Sequence, residues 1–268
     1  MFTNSAGILK VMSYWQERSV PYQPGQPAAF KVSRSKIELY VQCPRCFWLD
    51  VRLKIKRPDG PPFQINKAID ELFKKEFDGY RERGEPHPLM VEFGVAAVPF
   101  QHGQLDTWRE NFTGVVALHQ PTNLHVFGAV DDLWTSGTGE VIVVDYKATA
   151  KDREVTIDAD WQQSYKRQME VYQWLLRQNG LTVSDTGYFV YANGRLDLDG
   201  FYNRVEFRTK IIPYTGSDAW VEPTLAKMKS CMDGDMPPVG RAAMGGDCDY
   251  CTYARSRTEL TLQYLNKK

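Results

Sequence analysis

Apolar residues recur every three or four positions in four stretches of the chain, which predicts four helices. The two long predicted helices cover residues 65–83 and 160–178, and shorter ones are expected near residues 35–43 and 219–232. An Asn-Gly pair, which suits a helix end, follows the second long helix. The apolar stripe of the first long helix consists of Ile69, Phe73, Phe77 and Tyr80.

Runs rich in β-branched and aromatic residues lie between these helices and predict strands. They read GVVALHQ, LHVFGAVDDLW, GEVIVVDYKAT, GYFVYAN and FYNRVEFRTKII. A Ser-Gly-Thr-Gly turn separates the second run from the third and predicts a hairpin. The order of helix, hairpin, helix and strands predicts an α/β fold with a mixed sheet and helical additions.

The length and composition of the chain set its domain organisation. A chain of 268 residues with 43% apolar residues can bury one large core. Residues 1–30 end in a Pro/Gly-rich stretch and are predicted to be a loosely ordered lead-in. Residues 31–268 are predicted to form a single domain.

Charge and hydropathy exclude several classes of protein. The 33 basic residues balance the 33 acidic ones, so no global field attracts nucleic acid, and any such contact must come from a local patch. The N-terminus lacks the basic start and apolar block of a signal peptide. No run approaches the roughly 18 apolar residues that a membrane span requires. These features predict a soluble, cytoplasmic protein with no membrane partner.

The predicted hairpin brings two acidic residues together. If it pivots on Thr138, Asp131 and Asp145 become cross-strand neighbours, with Cβ atoms about 5 Å apart. Like charges at such positions are destabilising unless a cation lies between them, and Mg²⁺ accepts carboxylate oxygens. Lys147 projects from the same face as Asp145, whereas Asp132, the competing acid, points to the opposite face. An exposed strand end or a salt-bridged edge would also explain this pattern.

The segment GAVDDLW…VVDYKAT resembles the core of the PD-(D/E)XK nuclease superfamily, especially its RecB-like branch, which includes Cas4-type nucleases. Asp131, Asp145 and Lys147 fall on the positions of the family's acid and its acid-x-lysine motif. The proline of the family name is absent. A glutamine and a tyrosine four residues apart are a further motif of this branch, and Gln168 and Tyr172 supply them.

The resemblance covers roughly residues 33–255 and implies a restriction-endonuclease-like core, a central mixed β-sheet flanked by helices. It also implies a Mg²⁺- or Mn²⁺-dependent deoxyribonuclease, expected to act as an exonuclease on single-stranded or end-containing DNA in repair, recombination or defence. A helicase or another subunit of a repair or defence complex is a possible partner. The alternatives are a catalytically weak, nuclease-like DNA-binding subunit and a zinc-stapled interaction domain with a coincidental Asp-x-Lys.

The resemblance also implies roles for individual residues. Asp131 and Asp145 would hold the metal with the backbone carbonyl of Tyr146, and Lys147 would orient a water molecule or stabilise the transition state. Gln168 and Tyr172 would position the DNA strand.

Members of this branch often add a histidine ligand from an early helix, which this chain lacks at the corresponding place. Asp70, on or beside the buried stripe of that helix, is the best substitute. A carboxylate there suits Mg²⁺ or Mn²⁺. Glu71 is the weaker candidate, and a solvated helix charge is the alternative.

Two Cys-x₂-Cys pairs predict a metal site that joins residues 33–57 to residues 240–260. The four ligands would be Cys43, Cys46, Cys248 and Cys251. Their spacing favours Zn²⁺ in a four-cysteine site, whereas the family resemblance favours a [4Fe-4S] cluster. Iron–sulfur members usually take one cysteine from the N-terminal side and three from the C-terminal side, and the two-plus-two division here departs from that pattern. The fifth cysteine, Cys231, is predicted to be a free, buried thiol.

The second long helix carries further aromatic and basic residues near the candidate site. Trp161 and Tyr165 lie in a stripe with Met169 that is predicted to be core rather than a base-stacking platform. Lys151, Lys166 and Arg167 are predicted to belong to solvated surfaces, and contact with phosphates is the alternative. The four histidines show no metal-like spacing.

Overall fold

A computed structural model describes residues 2–3, 9–10, 20–60, 64–242 and 245–266. Most of the predicted lead-in therefore lies outside the described residues. Its described end packs against the rest of the chain: Tyr22 is buried and its hydroxyl donates a hydrogen bond of 2.6 Å to Asp233 Oδ1.

The four predicted helices are present, with ends that differ from the prediction by up to three residues. The second long helix begins at Gln163 because residues 160–162 form a 3₁₀ turn. No described helix has the length and apolarity needed to cross a bilayer. The helices are α1 (Arg34–Gln42), α2 (Pro44–Leu53), α3 (Gln64–Arg83), α4 (Pro88–Glu92), α5 (Leu105–Arg109), α6 (Gln163–Gln178), α7 (Val221–Asp233) and α8 (Asp249–Leu265).

The strands form a five-stranded sheet, a three-stranded sheet and a short pair. They are β1 (Phe2–Thr3), β2 (Leu9–Lys10), β3 (Phe30–Ser33), β4 (Ala97–Pro99), β5 (Val115–His119), β6 (Leu124–Gly128), β7 (Asp132–Ser136), β8 (Val141–Thr149), β9 (Thr186–Gly194) and β10 (Phe207–Thr215). The large sheet has the order β10-β9-β8-β7-β4 and is mixed, because only β8 and β9 are parallel. The small sheet has the order β3-β6-β5. The predicted α/β fold with a mixed sheet is confirmed.

The run LHVFGAVDDLW differs from the prediction, because it contains two strands in different sheets. The chain leaves the small sheet at Gly128 and enters the large one at Asp132. At Gly128 the Tyr172 ring lies so close that an added Cβ would stand 2.6 Å from its Cε1 atom. A side chain at this position would therefore displace Tyr172, and the crossing between the sheets requires glycine.

Side-chain alternation along β8 divides the core into two layers. Val141 and Val143 face α1, α6 and α7, whereas Ile142, Val144 and Tyr146 face α3. Strand β8 is buried on both faces because helices cover both sides of it. Asp145 and Lys147 continue the α6 face beyond the last valine of that face.

A buried ionic cluster fixes the first residue of β7. Asp132 is fully buried, and its carboxylate is ion-paired with Arg81 of α3 and with Arg109 of α5, the latter at 2.6 Å. The hydroxyl of Tyr146 donates a hydrogen bond of 2.6 Å to the other carboxylate oxygen. Asp132 therefore ties the sheet to α3 and α5, on the face opposite Asp145, and its surroundings identify a structural role.

Removal of the Asp132 carboxylate should strongly destabilise the fold. Asp132→Ala leaves two arginines without their buried counter-charge, which is expected to lower the free energy of unfolding by about 3–5 kcal/mol. Urea denaturation followed by circular dichroism measures the change. Asp197→Ala is the matched control, because Asp197 pairs with two arginines at an exposed site and its loss should change stability little. Equal effects of the two substitutions would contradict this role.

Candidate active site and cysteine cluster

The pairing of β7 with β8 brings Asp131 opposite Asp145. Asp132 pairs with Val144, so one further step in the same register places the two aspartates across from each other. This is the register that a pivot at Thr138 predicts. Asp131 lies just before β7, and its Oδ2 accepts a hydrogen bond of 3.0 Å from the backbone N–H of Tyr146. The carboxylate of Asp131 is thereby held over the end of β8.

Asp145 is a buried carboxylate among polar groups. It has no solvent exposure, and its Oδ1 accepts a hydrogen bond of 2.9 Å from the Gln168 side-chain amide. Burial raises the pKa of Asp145 to about 7, and the nearby Asp131 carboxylate acts in the same direction while Lys147 opposes both. A second positive charge at this point would therefore favour the ionised form of Asp145.

Lys147 is held between an anion and an aromatic ring. Its ammonium is ion-paired with Asp145 Oδ2 and lies 4.7 Å from the centre of the Tyr165 ring. Burial acts to lower the pKa of Lys147, but Asp145 and Asp131 outweigh it, so the pKa is raised. Lys147 is therefore a cation at neutral pH, on the same face as Asp145 as predicted.

Gln168 and Tyr172 come together next to Asp145. They lie one turn apart on α6, and the Gln168 amide reaches both Asp145 Oδ1 and, at 3.3 Å, the Tyr172 hydroxyl. Both residues are buried, with 8% and 4% of their surface exposed. This burial leaves little surface for contact with a DNA strand, and their visible contacts instead fix the orientation of the Asp145 carboxylate.

An open cleft of about 340 Å³ gives access to these groups. We refer to it as the active-site cleft, and its lining includes Asn66, Lys67, Asp70, Asp131, Lys147 and Tyr165. Tyr146 also borders the cleft. The ring of Tyr146 turns away from Asp145 and stacks on Phe73 at a centroid distance of 5.0 Å. Side chains alternate between the two faces of β8. Tyr146, whose hydroxyl contacts Asp132, therefore lies on the face opposite the catalytic candidates Asp145 and Lys147.

Asp70 faces this cleft from α3. Its Oδ2 is ion-paired with Lys74 at 2.7 Å, whereas its buried Oδ1 has no hydrogen-bond partner. Burial raises the pKa of Asp70, and Asp131 adds to the effect. Asp145 Oδ2 likewise has no hydrogen bond of ordinary geometry beyond its ion pair with Lys147. Asp70 Oδ1, which has no hydrogen-bond partner, and Asp145 Oδ2, which is paired with Lys147, are oxygens of the donor type that Mg²⁺ and Mn²⁺ prefer.

The carboxylates are less tightly gathered than the cysteines. Within the described ranges, the four cysteines form the one group of three or more metal-binding side chains whose ligand atoms all lie within 4.8 Å of one another. Asp70, Asp131 and Asp145 share the cleft region without converging to that degree. The residues fit a divalent cation by chemistry, and Asp131 with Asp145 forms the closer pair.

Cys43, Cys46, Cys248 and Cys251 meet as predicted, and they join α2 to the start of α8. The Sγ atom of Cys46 lies 3.8 Å from that of Cys248 and 3.5 Å from that of Cys251, and the Sγ atoms of Cys43 and Cys251 are 3.8 Å apart. Four sulfurs around one zinc ion at about 2.3 Å would be roughly 3.8 Å apart. All four sulfurs lie within 4.8 Å of one another, so the set could hold a metal ion. Cys231 stands apart and is only partly buried, and its pKa is raised to about 11 by burial.

Backbone and side-chain donors surround these sulfurs. Burial opposes ionisation of Cys43, but hydrogen bonds from the N–H groups of Cys46 and Gly240 outweigh it and lower the Cys43 pKa to about 7. The Arg57 guanidinium donates a hydrogen bond of 3.3 Å to Cys248 Sγ. A Cβ atom at Gly240 would stand 2.4 Å from Cys43 Cα, so the close N–H to sulfur contact requires glycine. These donors stabilise thiolate charge, which a bound metal also requires.

Two parts of the site were not predicted from the sequence. Tyr165, which was predicted to be core, contacts the ammonium of Lys147, and Asn66 and Lys67 at the start of α3 line the same cleft. Met169 from the same predicted stripe is fully buried, whereas Trp161 is 49% exposed and is not a core residue. The signal available for Tyr165 was its spacing of three residues from Gln168, which places both on one side of α6.

Comparisons with known proteins bear on the identity of the chain. A family model described as the PD-(D/E)XK nuclease superfamily matches residues 64–256. A search of the curated proteins gives no significant match. A solved structure titled "Crystal structure of SSO0001" aligns with 77% of this chain and 78% of its own, at 15% sequence identity and a TM-score of 0.32.

The family match spans both strands of the candidate hairpin, α6 and the second cysteine pair, and so covers most of the chain. It includes β7, β8 and α6, the elements in or next to which Asp131, Asp145, Lys147 and Gln168 lie. The chain belongs to the PD-(D/E)XK nuclease superfamily.

Proposed function

We propose that this protein is a divalent-metal-dependent deoxyribonuclease that hydrolyses phosphodiester bonds at the active-site cleft. The observation that carries the proposal is the placement of two facing carboxylates, Asp131 and Asp145, next to the ammonium of Lys147. Two anions at such a short separation are stable when a cation lies between them, and the open cleft lets both the ion and the substrate enter.

Asp131 and Asp145 would hold Mg²⁺ or Mn²⁺, assisted by the Tyr146 carbonyl and by Asp70, whose free oxygen faces the same cleft. When bound, the metal would acidify a water molecule and offset negative charge on the phosphate. The Tyr146 N–H restrains Asp131 through its 3.0 Å hydrogen bond, so that carboxylate needs little reordering on binding.

Lys147 supplies the fixed positive charge. Its raised pKa keeps it protonated, so it acts as an electrostatic and hydrogen-bonding group rather than as a general base. The Tyr165 ring limits the directions that the ammonium can take. A metal at Asp145 would release Lys147 from its ion pair and allow it to face a phosphate oxygen.

Gln168 and Tyr172 act through Asp145 in this proposal. The Gln168 amide fixes one carboxylate oxygen, and the Tyr172 hydroxyl accepts a hydrogen bond from the same amide. The second oxygen of Asp145, which is ion-paired with Lys147, would be the one to bind the metal. This assignment replaces contact with the DNA strand, for which the two buried side chains expose too little surface.

The Gln-x₃-Tyr pair and the cysteine cluster support membership of the RecB-like, Cas4-like branch. On that basis we propose exonuclease action on single-stranded or end-containing DNA, in repair, recombination or defence, alongside a helicase or another subunit. Opposite ends of the chain meet at the cysteines, as they do in stapled members of that branch.

A second candidate function is a nuclease-like DNA-binding subunit with weak turnover. The observation that favours it is the looser gathering of Asp70 with Asp131 and Asp145, together with the ion pair of Asp70 with Lys74. The two candidates differ in the isolated protein. DNA binding without cleavage at saturating Mn²⁺ supports the second, and cleavage that depends on Asp145 supports the first.

Substitution of the catalytic candidates should abolish cleavage. Asp145→Asn removes the charge of a proposed metal ligand and Lys147→Ala removes a cation beside the reacting phosphate, so each is expected to reduce the rate at least about 100-fold. Cleavage of end-labelled single-stranded and duplex DNA with Mn²⁺ measures the loss, and it also reports polarity. Asp197→Ala, on the remote β9–β10 loop, serves as the control and should cleave like the parent. Parental rates in both site variants would refute the proposal.

Metal binding should depend on pH because Asp145 holds a proton up to about neutral pH. Its pKa is raised by burial to about 7, so the ion must displace that proton at lower pH. The apparent Mn²⁺ affinity is expected to rise about tenfold per pH unit below pH 7 and to level off above it. Calorimetric titrations at pH 5.5 to 8.5 measure this. Asp145→Asn should bind weakly with a flatter profile, and an equally steep profile in that variant would contradict the assignment.

We propose one tetrahedral ion, Zn²⁺, at the four cysteines, with a structural role. The support is the spacing of the sulfurs at 3.5–3.8 Å and the two-plus-two division of the ligands. A [4Fe-4S] cluster, with its four iron atoms, would require more widely separated thiolates. The ion would close the loop between α2 and α8 and stabilise the chain by that constraint.

Metal analysis should find about one zinc per chain after anaerobic purification, with no absorbance near 400 nm. Cys251→Ser should lose this ion and lower the melting temperature, because three thiolates and a hydroxyl bind Zn²⁺ less tightly. Cys231→Ser is the matched control and should keep full metal content, since Cys231 lies outside the cluster. Iron and sulfide at about four per chain would instead identify the iron–sulfur cluster.

A further inference from the structure

A second depression borders α6 and shares no lining residue with the active-site cleft. It has a volume of about 550 Å³, within the range of ligand sites, and we call it the α6 groove. Trp161 and Tyr250 line it and expose 49% and 46% of their surfaces. The α6 groove thus offers two large aromatic surfaces to a ligand.

Two aromatic rings in contact link the lining of the α6 groove to that of the active-site cleft. The Trp161 ring contacts the Tyr165 ring edge-on at a centroid distance of 5.5 Å, and Tyr165 lies against the ammonium of Lys147. Lys151, four residues beyond Lys147, places its ammonium 5.4 Å from the Trp161 ring. From Lys147 outward, the order is therefore a cation, the rings of Tyr165 and Trp161, and a second cation, Lys151.

The far end of the α6 groove repeats this pairing. The Arg57 guanidinium lies 4.6 Å from the centre of the Tyr250 ring and is fixed there by its hydrogen bonds to Gln42 Oε1 and Cys248 Sγ. The cysteine cluster thus anchors one aromatic surface, and α6 carries the other. Proteins that bind single strands combine such aromatic surfaces with basic groups.

We infer that Trp161 and Tyr250 are stacking surfaces for unpaired bases of a nucleic acid strand that continues out of the active-site cleft. This inference rests on the proposed function for the position of the cleaved phosphate. A single strand fits this chemistry because its base faces are free to stack, whereas a duplex hides them.

The charged residues that line the α6 groove indicate which interaction would contribute most to the binding of a strand. Its lining has three basic residues, Arg57, Arg167 and Arg241, and three acidic ones, Glu38, Asp160 and Asp249. Arg167 is already neutralised by a bidentate ion pair with Glu38, at 2.8 Å for both contacts. Stacking should therefore contribute more than phosphate contacts, and Lys151 is the cation best placed beside Trp161 to meet a phosphate.

Binding of a fluorescently labelled 20-nucleotide oligothymidine, measured by anisotropy, tests the inference. The full chain carrying Asp145→Asn is used so that the strand stays intact. In this background, Trp161→Ala and Tyr250→Ala should each weaken binding about 5- to 150-fold, the range for one stacked base. Trp161→Phe should retain most of the affinity. Lys151→Ala should make the salt dependence shallower by about 0.7 in logarithmic slope, the value for one phosphate contact.

Phe112→Ala is the matched control, because Phe112 is 87% exposed and lies outside both depressions. It should bind like the Asp145→Asn background, and a 20-base-pair duplex should bind more weakly than the single strand. Unchanged affinity in both aromatic-to-alanine variants, or an equal loss in Phe112→Ala, would overturn the inference.

The outcome is separable from that of the proposed function. Strand binding that depends on Trp161 in a protein without cleavage activity would support the stacking surfaces and reject the nuclease. Cleavage of DNA without any contribution from Trp161 or Tyr250 to binding would support the nuclease and reject the stacking surfaces.

Discussion

The structure depends on the electrostatic balance around two aspartates that face each other where β7 begins beside β8, the central strand of the large sheet. Asp145 has no exposed surface, and Asp131 adds a second negative charge beside it. The ammonium of Lys147 neutralises one of the two negative charges. Burial and the other negative charge raise the pKa of Asp145. Such an arrangement costs stability compared with an apolar strand end, because buried ionisable groups lose hydration. The cost is understandable where function needs a site that is ready to accept a cation.

Side chains on the two faces of β8 have different roles, because successive residues of a strand point to opposite faces. Asp145 and Lys147 project towards α6, whereas Tyr146, between them, projects towards α3 and binds Asp132. Adjacent residues of the sequence thus belong to an ionic cluster on one side and to the candidate site on the other. Because Asp131 and Asp132 are also adjacent, the arginines that hold Asp132 fix the peptide that carries Asp131. Rigid support of this kind is what a site with little tolerance for displacement requires.

Much of this could be predicted from the sequence, because period and spacing are local properties. The turn at Thr138 predicted the hairpin register, and the spacing within the two Cys-x₂-Cys pairs predicted that the pairs form one metal site. What could not be predicted depends on contacts between distant segments. The break of the run LHVFGAVDDLW into two strands follows from the Tyr172 ring over Gly128. Helix α8 has no buried residue, so its sequence gave no apolar stripe from which the helix could be predicted.

The cysteine pairs lie some 200 residues apart in the chain yet share one cluster, and this separation has a consequence for biogenesis. During translation, Cys43 and Cys46 are synthesised early. The set of four ligands is complete only when Cys251 has been synthesised. A metal held by all four thiolates could bind only after synthesis of the sheet and of α6, which lie between the two cysteine pairs in the sequence. Long-range closure of this kind is slow and favours chains whose core has already assembled. Retention of the ion would then depend on a folded core, because only a folded core brings the two cysteine pairs together.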